Sequence, residues 1–233
     1  AFYNCPSLTT IGSGVLLGTA NGTATVNFTQ AFLDCTGLTE LPAGLDLSQG
    51  SSFSSAFNGC ASLTTIGTGV LLGTASSNVN FISAFRTSGL TALPAGLDMS
   101  QGSLFNATFR DCTSLATIGT GVLLGTANAT ATVNYADTFN GCTNLTALPA
   151  GLDLSQGSDF NNAFNGCTSL TTIGTGVLLG TASTSVNFLN AFRACTALES
   201  LPAGLDMSQG DDFRTAFYNC PSLTTIGSGV LLG

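Results

Sequence analysis

The chain has 233 residues, 44% of them hydrophobic, which is enough to bury a sizeable core, yet only 7% are charged against about 25% in an ordinary soluble domain. Twelve acids face four basic residues, all arginine (Arg86, Arg110, Arg193, Arg214), with no Lys, His or Trp, and the resulting net charge of −8 disfavours nucleic acid and anionic membrane surfaces, which need basic patches. Solubility must come from Thr, Ser, Asn and Gly, as suits a fibre or an exposed wall. No apolar run approaches a membrane span, the longest repeated one being Val-Leu-Leu. No signal peptide is visible, so a secreted protein would carry its targeting segment outside these residues.

Read from its first residue, the chain opens with AFYNCPSLTTIGSGVLLG (1–18), and the same eighteen residues return at 216–233. Placing Ala-Phe or Thr-Phe pairs in register divides everything between into coils that begin at Ala1, Ala31, Ala56, Ala84, Thr108, Thr138, Ala163, Ala191 and Ala216. Two types alternate. The odd coils read AFxxCxSLTTIGTGVLLGTA…VNF and the even ones AFxxCTxLTxLPAGLDLSQGxxF. Four coils make a unit of 107 or 108 residues, so 1–107 and 108–215 are two near-identical halves of one eight-coil super-repeat, and 216–233 starts the next.

Within each coil the first expected element is a short helical turn, FxxAFxxC, because Phe, Phe and Cys fall at i, i+4 and i+7, one face of a helix. The residue before the first Phe is Asn27, Ser52, Asn80, Asn134, Asp159, Asn187 or Asp212, all N-cap types, and Leu104 alone breaks the rule. Next comes Leu-Thr-x-Ile/Leu, a short strand stopped by Gly or Pro, and then Gly-Val-Leu-Leu or Gly-Leu-Asp-Leu, a second extended segment. The aromatics form two ladders, one from Phe28 to Phe213 with Tyr135 standing in for Phe, the other from Phe2 to Phe217. One coil cannot bury such residues alone, so the expected fold is an α/β repeat solenoid of stacked coils with parallel strands, one helical turn per coil and uncapped ends. On a strand spacing of about 4.8 Å, eight coils rise about 40 Å.

The candidate chemistry recurs by coil position. Cys5, Cys35, Cys60, Cys112, Cys142, Cys167, Cys195 and Cys220 share one position, with Ser88 the nearest equivalent in coil four, where one residue is missing. A disulfide or metal ladder is conceivable there. The helical register, however, puts Cys on the Phe face, seven Cys per super-repeat cannot all pair, and no CxxC or His exists to hold zinc, so buried, reduced thiols are expected. GSGVLLG and GTGVLLG have the wrong spacing for a phosphate loop and are not followed by Lys. Asp46, Asp98, Asp153 and Asp206 in GLDLSQG or GLDMSQG suggest a calcium ladder, but one carboxylate per two coils makes a poor cage. Asp211 and Asp212, being adjacent, do not face one another across a substrate. With no nucleophile–base pair in view, no catalytic activity, cofactor or metal is expected. The Thr column running from Thr9 to Thr224 is interrupted at Ala116 and Glu199 and reflects β-propensity. The longer loops of coils one and five carry N-x-T sequons at Asn21 and Asn128, candidate glycosylation sites. Asn27 is better read as a cap, and Asn106 and Asn144 lie beside core positions.

The stretches FNNAFNGCTSLTTIG (160–174) and FRACTALESLPAGL (192–205) resemble BspA-like leucine-rich repeats of bacterial, protist and phage-associated surface proteins, and the resemblance covers essentially the whole chain. It implies a leucine-rich-repeat solenoid used in surface attachment or binding, with no catalytic residues. The alternate coils depart from the family pattern, with Ile-Gly in place of Leu-Pro. The reading that follows is a structural segment of a long extracellular or cell-surface fibre or stalk. Its expected partner is itself, by end-to-end stacking of coils; the alternative is an adhesin whose repeat face binds a host protein or glycan.

Overall fold

In the computed structural model, which describes residues 2–12, 17, 25–127 and 132–233, the coils stack as expected into a parallel β solenoid. Each of coils two to eight contributes three short strands, and equivalent strands of successive coils line up in parallel to form three columns along the axis. The first column holds segments such as Val26–Asn27 and Gly50–Ser52 and forms one continuous eight-stranded sheet. The second runs through Glu40–Leu41 and Thr65–Ile66, and the third through Asp46–Leu47 and Leu71–Leu72. The residues pointing inward from all three, together with the rings, form one unbroken core.

The helical turn is not there: among the described residues the structure contains no helix. The segment from Phe28 to Cys35 is instead two β-turns in tandem. Ala31 N–H donates to Phe28 O (2.9 Å) and Cys35 N–H to Phe32 O (3.1 Å). Between these turn closures, the amides of Phe28, Gln30, Phe32 and Asp34 leave the coil and donate to Ser52, Ser54, Ala56 and Asn58 carbonyls of the next one (2.8–2.9 Å). A helix would need every amide for its own i→i−4 ladder; here half of them serve the neighbouring coil. Two four-residue turns also repeat every four residues, and this is why Phe, Phe and Cys share a face without a helix.

The turns need a left-handed residue two places after each ring, and that residue has φ between 51° and 74° in every described coil, from Asn4 through Asp34 and Gly141 to Asn219. Non-glycine residues there are strained by about 1–2 kcal/mol each. The column mixes Gly59, Gly141 and Gly166 with Ala194 (φ 57°). Ala194→Gly should therefore raise the urea midpoint, whereas Gly166→Ala, whose added Cβ would find its nearest neighbour 3.8 Å away, should cost about 1 kcal/mol through φ alone. Equal and small effects of the two changes would mean that the turns are not of this type.

The rings stack face to face. Fifteen successive contacts have centroids 5.0–5.6 Å apart and planes inclined by 1–26°. Tyr135 keeps its place in the first ladder because its hydroxyl donates to Leu124 O, which satisfies a polar atom that is otherwise buried.

Candidate functional site

The cysteines sit where the second tandem turn closes, one turn after the Ala of each Ala-Phe pair. Both positions point inward and admit only small side chains. Each thiol from Cys35 to Cys220 donates to the carbonyl of the ring residue one coil back: Cys35 to Phe2, Cys60 to Phe32, Cys112 to Phe85, Cys142 to Phe109, Cys167 to Phe139, Cys195 to Phe164 and Cys220 to Phe192 (2.8–3.2 Å). All eight, including Cys5, are free thiols, and all but Cys5 and Cys220 are buried. Ser88 stands at the thiol position of coil four, buried, with its Oγ 3.3 Å from Cys112 Sγ. The same logic accounts for Thr108 and Thr138, which replace Ala in coils five and six. Their hydroxyls bond to Phe81 O and Phe105 O one coil back, as the thiols do. The sequence marked these two threonines only as substitutions for Ala; the tandem turns make them members of the same donor set.

Burial holds the thiols protonated, pushing Cys60 and Cys167 up to about 12 and Cys112 to about 11 from an ordinary 9.0, with Cys142 raised well above it for the same reason. Unfolded thiols ionise near pH 9 while these do not. The folded state is therefore undiminished below pH 9 and loses stability as the pH rises from about 9 to about 12. Two outcomes are expected: labelling of the six buried cysteines by a thiol reagent only after denaturation, and a denaturant midpoint that falls above pH 9. Rapid labelling of the native protein would overturn the buried thiol ladder.

The cap residues are correctly placed and serve a different end. Asn27 Oδ1 accepts from Thr29 N–H (2.8 Å), and Ser52, Asn80, Asn134, Asp159, Asn187 and Asp212 likewise accept from the amide two residues on (2.8–3.4 Å). They open the first tandem turn; there is no helix for them to cap.

Asp46, Asp98, Asp153 and Asp206 each spend Oδ1 on the amide of the Ser two residues later (2.9 Å). Among the described residues no three ligating side chains come together. The Thr column is equally committed. The hydroxyls of Thr39, Thr64, Thr91, Thr146, Thr171 and Thr224 donate to carbonyls of the coil behind at 3.1–3.5 Å. Asp211 accepts from Ser185, and Asp212 forms an exposed ion pair with Arg214 (2.8 Å) that holds its carboxyl below the usual range. Arg86 and Arg110, stacked on neighbouring coils, flank Asp111, with nitrogens 3.9 and 3.5 Å from its Oδ2, and Arg110 also reaches towards Asp137 (3.9 Å). The guanidinium of Arg193 lies 5.5 Å from the centre of the Tyr218 ring. Asn21 and Asn128, the sequon asparagines, lie outside the described residues. No described helix is long and apolar enough to cross a membrane.

No protein-family model matches the chain, and no curated protein does. Two solved structures align along nearly its whole length. One is a leucine rich cell surface protein from Faecalibacterium prausnitzii, at 16% identity and a TM-score of 0.35, over 98% of this chain and 75% of that one. The other is a leucine-rich repeat protein from Bacteroides ovatus, at 13% identity and a TM-score of 0.25, over 95% of this chain and 77% of that one. The chain is similar to both; what makes it a stacked-coil parallel β solenoid is its own three strand columns and two ring ladders.

Proposed function

We propose that the chain is a non-catalytic structural repeat segment of an extracellular or cell-surface stalk, and that its coils also stack end to end between chains. The observation that carries this reading is where the side chains spend their polar groups. The thiols, the Thr column, the Asp column and the turn-opening Asn and Asp residues are turned to hydrogen bonds within or between coils, so the repeated chemistry holds the stack together. The low charge and the near-identity of the two halves suit a wall or stalk better than a surface that must discriminate among ligands. Self-stacking follows from the same bonds. In coil one Phe2 and Asn4 amides donate to Ala31 O and Leu33 O (2.6 and 2.8 Å), and coil nine repeats that sequence, with the donors Phe217 and Asn219 in the same places.

Sedimentation velocity of purified 1–233 across a wide concentration range, with negative-stain microscopy of the heavier species, tests it. Concentration-dependent rods of coil-stack width are expected. A monomer that persists at high concentration would overturn the end-to-end assembly, and saturable binding of a host glycan or protein by that monomer would favour an adhesin.

A further inference from the structure

Hydrogen bonding between coils is not uniform around the solenoid. From an even coil to the next odd coil, the second and third strand columns are fully laddered. Gly67, Leu71 and Gly73 amides donate back to Leu41, Leu45 and Leu47 (2.8–3.1 Å), and the set recurs with Gly119, Leu123 and Gly125 on Leu93, Leu97 and Met99 (2.9–3.2 Å). From an odd coil to the next even coil the ladders break. Neither column pairs between coils three and four or between coils five and six, and between seven and eight each keeps a single residue pair. The first column and the ring segments remain bonded across every one of these junctions: Phe57 N–H, for example, donates to Ala84 O (2.7 Å).

The cause lies in LPAGLDxS, the sequence peculiar to even coils. Where the odd coil offers Gly67 N–H to the coil behind, the even coil has Pro94, which has no N–H. Leu97 N–H turns inward to Pro94 O (3.2 Å). Ser100 N–H, the counterpart of Gly73 N–H, is taken by the Asp98 carboxylate (2.9 Å). Of the three amide positions with which an odd coil ladders back, the even coil has lost one to proline and turned another to its own aspartate; it keeps Gly89 N–H on Cys60 O (3.3 Å) and Thr91 N–H on Thr64 O (3.2 Å), ahead of the two strand columns. At the junction of coils three and four a groove of about 80 Å³ opens between Gly67–Leu71 and Pro94–Asp98.

We propose that the solenoid is built of two-coil units, each an even coil with the odd coil after it, and that the junctions between units are seams which open on the strand side before the units themselves unfold. In a linear array the weakest neighbour interface sets the cooperative unit. Coils four and five, 84–137, have an open seam at either end. This proposal is independent of the stalk reading, because it concerns only how one chain comes apart.

Two measurements on the 1–233 chain test it. By residue-resolved hydrogen exchange, the amides of Asp98 and Asp153, which face the seams, should exchange at least about tenfold faster than those of Leu71 and Leu123, their counterparts inside units. Equal protection would overturn the proposal. In single-molecule extension, 84–137 should release as one step of about 18 nm. Steps of about half that length, one coil at a time, or a single release of the whole chain, would overturn it. The double variant Pro94→Gly/Asp98→Leu gives coil four the donors of an odd coil. It should slow exchange at residue 98 and merge the 84–137 step with its neighbour; an unchanged step would show that Pro94 and Asp98 do not set the seam. The exchange comparison needs no variant and stands even if the double variant fails to fold.

Discussion

Replacing Gly174 by Ala should destabilise the chain by about 3 kcal/mol, the upper range for inserting one carbon into a packed interior. A Cβ there would lie 2.5 Å from Ala150 N, 2.7 Å from Ala150 Cα and 2.8 Å from Leu148 O, all main-chain atoms that no rotamer change can move aside. Coil seven would have to lift from coil six at the junction where Gly174 N–H bonds to Leu148 O (2.9 Å). The comparison that isolates the effect is Gly166→Ala, eight residues earlier. That change introduces a left-handed alanine with no clash and should cost about 1 kcal/mol. Urea denaturation of both variants checks the order, and a Gly174→Ala cost no larger than that of Gly166→Ala would mean that the coils are not in main-chain contact there. The same reason explains why odd coils carry Ile-Gly where even coils carry Leu-Pro. Gly67, Gly119, Gly174 and Gly227 each lie against the Pro-Ala backbone of the even coil behind, with no room for any side chain.

Phe139→Ala should cost about 3–5 kcal/mol. The ring is fully buried, stacked on Phe109 at 5.3 Å and on Phe164 at 5.5 Å. Its removal takes away both stacking contacts and leaves a cavity in the second ring ladder, which the flanking coils cannot close without breaking the Phe139–Ala163 and Phe109–Thr138 backbone bonds (2.8 and 2.9 Å). Tyr135→Phe, which keeps the ring and removes only the hydroxyl bonded to Leu124 O, should cost about 1 kcal/mol. If Phe139→Ala were as mild as Tyr135→Phe, the ladders would be bystanders and the strand columns the true source of stability.

By itself the sequence determined the period, the register and the inside of this protein. A residue that recurs every coil must meet its own copy about 4.8 Å away, so Phe, Leu and Cys columns could be read as core before any coordinates, and the core holds them. The turn-opening Asn27, Asn80 and Asp159 were legible as cap types for the same local reason, since a short side chain bonds an amide two or three residues on. What they open could be decided only by the tertiary structure. Spacings of i, i+4 and i+7 fit one face of a helix and equally fit two four-residue turns in tandem, and the difference lies in where the amides of Phe28, Gln30, Phe32 and Asp34 go. They go to another coil, a bond between residues some twenty-five positions apart that no local pattern records. The seams were hidden in the same way. Pro94 and Asp98 read locally as a turn and a solvated acid, and their effect is the loss of two ladder donors towards coil three, visible only once coil three is in place.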